Sequence, residues 1–131
     1  MDLKIHDKIA LVTGSSLGVG FATAKKLVNE GAKVYINSRN KTNVDKAIKK
    51  IKDENPKALI FGVVADLSTK EGCDKLLQEL PYVDILINNL GIFEPKEFTQ
   101  ITDEDWLTIF NTNVMSGVRL SRAYFPKMLE N

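Results

Sequence analysis

The sequence is poor in the residues that build stapled or metal-held proteins. It contains one cysteine, Cys73, and one histidine, His6, in 131 residues. A lone cysteine excludes an internal disulfide and fits a reducing, cytoplasmic setting, and without a Cys/His cluster a dedicated zinc site is not expected. An excess of either charge is also lacking: 18 basic side chains stand against 17 acidic ones. That balance argues against nucleic acid or an anionic membrane surface as partner. Long apolar runs are missing too. The longest, such as ALIFGVVA at 58–65, is too short to span a bilayer, and the start, MDLKIHDK, has no signal-peptide core. What remains is the composition of an ordinary globular protein, 44% hydrophobic and 27% charged, of a size expected to form one domain over residues 1–131.

Along the chain, short apolar runs alternate with helical periodicity. Runs are predicted at 8–13, 33–37 (KVYIN), 58–64 (ALIFGVV) and 83–88 (VDILIN). Helical patterns lie between them: one through Ala22, Ala24, Leu27 and Val28 closing at Gly31, one over 41–54 stopped by Asn55-Pro56, and one from Ser68-Thr69 to Leu80 before Pro81. A last, long helix opens at Thr102 with three acids in its first turn, Asp103, Glu104 and Asp105, and carries Trp106, Ile109, Phe110, Val114, Gly117, Leu120, Tyr124 and Met128 at three- and four-residue spacing. Strands apolar on both faces, each separated by a helix, specify a parallel sheet between helix layers. The expectation is a three-layer, doubly wound α/β domain with four strands ordered 3-2-1-4. The one long irregular stretch, roughly 89–101, follows the fourth strand, at the end of such sheets where ligands bind.

The chemistry-bearing motif is TGSSLGVG at 13–20, directly behind the first strand. Gly14 turns the chain off the strand, Gly18 lets a phosphate approach, and Gly20 lets the following helix pack closely. Free amides at a helix start, with the helix dipole, form an anion site; Thr13, Ser15 and Ser16 add hydroxyls, and Leu17 lies between them and Gly18. A Gly/Ser-rich turn with no ligand is the alternative, which the position on the first βα unit disfavours.

The glycine spacing is G-x-x-x-G-x-G. With Asp66 in VADLS, Asn88-Asn89-Leu90-Gly91 after the fourth strand, and Trp106 followed by Asn113 in NTNVMSG, the sequence resembles the short-chain dehydrogenase/reductase family over nearly its whole length and in the right order. The resemblance implies a Rossmann fold, a nicotinamide dinucleotide, and a carbonyl or alcohol substrate in a homo-oligomeric enzyme. The three-residue glycine gap points away from the nucleotide-sugar epimerase branch. An acid is usual at the end of the second strand for NAD(H); here Ser38 and Arg39 stand there, so NADP(H) is expected to be preferred and NAD(H) tolerated. Arg39 as a solvated surface residue is the other reading. The second basic residue of many NADP relatives is replaced by Leu17.

By the same resemblance, Asp66 accepts from adenine, with Leu67 beside the ring; a helix-cap role for Asp66 is the alternative. Asn89 and Gly91 border the cofactor, although Asn88 and Asn89 are equally read as ties between loops. Leu90 replaces a usual alanine and either crowds the cofactor or enters the core. Asn113 matches the family's proton-relay asparagine. The family's catalytic serine and Tyr-x-x-x-Lys have no counterpart: Tyr35 is followed four residues on by Arg39, Tyr82 by Leu86, Tyr124 by Met128. The expectation is the cofactor-binding portion of a longer or two-chain oxidoreductase, inactive by itself, with the apolar stripe of its last helix serving core and subunit interface. A non-catalytic dinucleotide-binding or subunit-interaction module is the alternative.

Overall fold

The computed structural model describes residues 1–131. Four parallel strands form one sheet in the order β3-β2-β1-β4, the doubly wound topology expected. They are β1 (Ile9–Val12), β2 (Lys33–Ser38), β3 (Ile60–Val64) and the short β4 (Ile85–Ile87). Between them run α1 (Gly18–Asn29), α2 (Lys41–Glu54) and α3 (Lys70–Glu79), followed by α4 (Asp103–Phe110) and α5 (Ser116–Leu129).

Alternation along β1 divides the core in two. Ala10 and Val12 face one side, where they meet Ala24 and Val28 of α1, Ala47 and Ile51 of α2, and Val34, Ile36 and Ile60. Leu11 faces the other side and meets Leu76 of α3, Leu120 and Tyr124 of α5, and Val63 and Val83. The central strand is therefore sealed on both faces, which makes its apolar run continuous rather than alternating with polar residues. β1 is also held on both edges, with Val12 opposite Ile36 of β2 and Ile87 of β4.

Helix starts follow local chemistry. The Asn40 side chain caps α2 by accepting from Asn43 N, and that of Thr69 caps α3 by accepting from Gly72 N. Thr102 and Asp105 form a reciprocal capping box at α4. α1 is different: its cap position, Leu17, offers no side-chain acceptor, so its first amides are left open.

The last helix is not continuous. A π-helical turn, Asn111–Met115, separates α4 from α5. The wider turn resets the helical phase, a device common at functional sites. The buried positions are accordingly Thr112, Ser116, Leu120 and Tyr124, while Trp106, Phe110 and Val114 of the expected stripe are exposed. Helical spacing could not register the phase shift. No helix is long and apolar enough to cross a membrane.

Candidate cofactor site

The carboxyl ends of the strands open into a cleft of about 560 Å³. It is lined by Gly14, Ser16 and Leu17 from the β1–α1 loop, Asn37, Ser38 and Arg39 from β2, Ala65 to Ser68 after β3, and Leu90 to Ile92 after β4, with Thr108 and Thr112 across the opening.

The glycine loop divides its labour. Gly14 and Gly18 have positive φ, 56° and 62°, a region costly for side chains. A Cβ on Gly18 would meet nothing within 4 Å, so the loop is open there; Gly18 faces a smaller depression of about 160 Å³ beside Leu17. A Cβ on Gly20 would overlap the Asn89 side chain and come within 2.8 Å of Gly14 O, so this glycine serves packing. Ser15 is wholly buried: its hydroxyl donates to Val12 O (2.6 Å) and accepts from Asn37 N (3.0 Å), and its amide donates to Asn37 O. Its polar groups are therefore used inside the protein. The amides of Leu17, Gly18, Val19 and Gly20, by contrast, make no internal hydrogen bond. They form an uncommitted row of donors at the positive end of α1.

Loops after β1 and β4 are locked by Thr13 and Asn89. Thr13 Oγ1 accepts from the amides of Asn89 and Leu90, each at 2.9 Å, and the Asn89 carboxamide donates to Thr13 O and Gly14 O, each at 3.1 Å. Asn89 thus ties two loops and does not line the cleft; Asn88 donates to Ser121 Oγ on α5. Leu90 packs partly into the core, with its Cδ1 close against Gly14, and borders the cleft from below.

Arg39 is exposed and forms no ion pair, leaving its guanidinium at the cleft rim uncommitted. Asp66 Oδ1 accepts from Ser68 N and Ser68 Oγ, while Thr69 takes the helix cap. Asp66 is thereby oriented by an Asx turn and is not itself the cap. Leu67 is fully buried, forming the floor.

Asn113 does not line the cleft. Its Oδ1 accepts from Ile92 N (2.8 Å) and its Nδ2 donates to Ile92 O (2.9 Å), joining the π-helical turn to the cleft-lining segment. Tyr124 lies at the opposite end of the sheet, where its hydroxyl donates to Leu80 O (2.6 Å); burial pushes its phenol well above the ordinary range. That side chain is structural.

Sequence reading missed six residues of the cleft lining: Asn37, Ala65, Ser68, Ile92, Thr108 and Thr112. For Asn37 a signal existed, since asparagine is disfavoured in strands and stands here at the end of a buried one. The two threonines carry none: Thr108 lies on α4 and Thr112 in the π-helical turn, and only the folded chain sets them against the cleft.

A parallel sheet in the order 3-2-1-4, with open amides and a cleft at its carboxyl ends, defines a Rossmann-type, doubly wound α/β protein. Residues 8–131 match the family described as short chain dehydrogenase, and the chain belongs to that family. It is 48% identical over 130 residues to the uncharacterized oxidoreductase YvaG of Bacillus subtilis, covering 99% of this chain and 49% of that protein. Against the 3-oxoacyl-[acyl-carrier-protein] reductase FabG of Escherichia coli it is 38% identical, covering 98% of this chain and 52% of the relative. The crystal structure of L-sorbose reductase from Gluconobacter frateurii, complexed with NADPH and L-sorbose, superposes with a TM-score of 0.90 at 32% identity, over 98% of this chain and 50% of that one. The chain spans about half the length of the relatives it matches.

Proposed function

We propose that residues 1–131 form the dinucleotide-binding domain of an NADP(H)-dependent oxidoreductase acting on a small carbonyl or alcohol, with NAD(H) as a weaker alternative. The observation that carries this reading is the row of free amides from Leu17 to Gly20 beside a cleft whose far rim holds an unpaired arginine. The amides suit the diphosphate. Ser38 is small and uncharged, and Arg39 offers a planar, always charged fork to a 2′-phosphate. Asp66, held by Ser68, has its second carboxylate oxygen left to accept from an adenine amino group. Leu90, Gly91 and Ile92 border the remainder of the cleft, toward the nicotinamide end.

When bound, the nicotinamide ring supplies or receives the hydride. The role assigned to this chain's residues is to hold and orient the dinucleotide. Asn113 contributes by fixing Ile92, and through it the segment beside the nicotinamide end. The sequence contains no Tyr-x-x-x-Lys pair. Binding without turnover is therefore the behaviour assigned to these residues on their own, and a homo-oligomeric cytoplasmic enzyme is the setting proposed for the catalytic protein. The test is a calorimetric titration with NADPH, NADH and ATP. Saturable uptake with NADPH tightest supports the reading; a folded chain that binds none of them refutes it.

A further inference from the structure

Asn37 is 1% exposed, and every polar group of its carboxamide is bonded. Oδ1 accepts from Gly14 N (3.1 Å), while Nδ2 donates to Val63 O and Ala65 O, both at 3.2 Å. The amide has one orientation only, because reversing it would set a donor against the Gly14 amide and an acceptor against two carbonyls. Its main chain joins the same seam, accepting from Ser15 N (2.8 Å) and donating to Ser15 Oγ (3.0 Å).

These bonds lie where the β1–β2 ladder stops while β2 and β3 are still paired. The last β1–β2 pairing is Val12 with Ile36. Beyond it, each hydrogen bond from the glycine loop to β2 has Asn37 as one partner. Asn37 also immediately precedes Ser38-Arg39, and its acceptor Ala65 immediately precedes Asp66. A single buried amide therefore connects the loop facing the diphosphate with both strand ends facing the adenosine.

Building on the cofactor reading above, we propose that Asn37 is a positioning residue that sets the span between the diphosphate-binding loop and the adenosine-binding ends of β2 and β3. A whole dinucleotide must meet both at once, so an error in their spacing weakens it more than a ligand that meets the adenosine end alone. Buried amide networks of this kind lose rigidity when one member is removed, because the groups left behind are unsatisfied.

The test compares wild type with Asn37→Ser in the 131-residue chain, folding being checked by circular dichroism. Amide hydrogen exchange at Gly14 is measured without ligand, and affinities are measured for NADPH and for adenosine 2′-monophosphate, which lacks the 5′-phosphate and so has no part of the diphosphate. Expected for Asn37→Ser are faster Gly14 exchange, NADPH binding weakened roughly tenfold, and binding of the 2′-monophosphate weakened less than about threefold. Should Asn37→Ser not fold, Ser15→Ala opens the same seam and is expected to weaken NADPH roughly threefold without affecting the 2′-monophosphate. Equal losses for both ligands, or unaltered NADPH affinity in the folded variant, overturn the proposal. A wild-type chain that takes up neither ligand overturns the cofactor reading instead, and the two failures are thereby distinct.

Discussion

Asn113 and Ile92 close a two-bond ring, amide to carbonyl and carbonyl to amide, at 2.8 and 2.9 Å. The ring anchors the segment after β4 to the π-helical turn, outside any strand ladder. Asn113→Ala is expected to remove both bonds at a cost of about 1 kcal/mol in stability, small because the site is exposed to water. The larger effect is local: amide exchange at Ile92 should accelerate well beyond the change in global stability. Equal protection of Ile92 in wild type and variant would contradict this anchoring.

Gly18 and Gly20 are two residues apart and should respond differently to a methyl group. At Gly20 the Cβ would collide with the Asn89 side chain and Gly14 O, so Gly20→Ala is expected to cost about 1–3 kcal/mol through overpacking. At Gly18 there is space, and only the positive φ is penalised, at about 1–2 kcal/mol. Denaturant midpoints measure the first effect. For Gly18→Ala the diagnostic is NADPH affinity, which should fall by more than the stability change explains.

Arg39→Glu replaces the unpaired guanidinium at the cleft rim with a carboxylate. NADPH affinity should drop roughly tenfold or more while NADH affinity holds or rises. Titrating both cofactors against both proteins gives the ratio. An unchanged ratio would remove Arg39 from cofactor choice and leave it as a solvated surface residue.

Tyr124→Phe should cost about 1–2 kcal/mol, because the Leu80 carbonyl loses its partner in a buried place while the ring packing is retained. Thermal unfolding would show the loss. Cofactor affinity should be untouched, since the hydroxyl lies at the opposite end of the sheet from the cleft.

Asp84 predicts a pH dependence. The Ile9 amide and the Tyr82 hydroxyl both donate to its carboxylate and hold it below its ordinary value of 3.8. A carboxyl lowered on folding stabilises the protein above its unfolded-state value, and that stabilisation is lost as pH falls through the lowered folded value. Acid unfolding should therefore be shallower in Asp84→Asn, with a difference of about 1 kcal/mol after allowance for its partial exposure. Urea midpoints from about pH 6 down to about pH 2 would reveal it; parallel curves would assign the acid sensitivity elsewhere.

Much of this protein could be read from local pattern. The alternation of apolar runs and helical spacing specified a parallel sheet, and right-handed crossovers left the order 3-2-1-4. Glycines at 14, 18 and 20 were recognisable because only a residue without a side chain fits a positive φ or so close a contact. The helix caps at Asn40, Thr69 and Thr102 are equally local.

Tertiary structure decided what each polar group near the cleft is bonded to. Ser15, Asn89 and Asn113 resemble ligand donors in one dimension, yet their polar side-chain groups bond other parts of the chain. Asn37 was inconspicuous in sequence and proves to join three strand ends. The π-helical turn, invisible to spacing, selected which face of the last helix is buried. The physical reason is common to all of these. Secondary structure follows from the periodicity of side chains along the backbone, whereas a hydrogen-bond partner is chosen among groups tens of residues apart that only the folded chain brings to 3.1 Å.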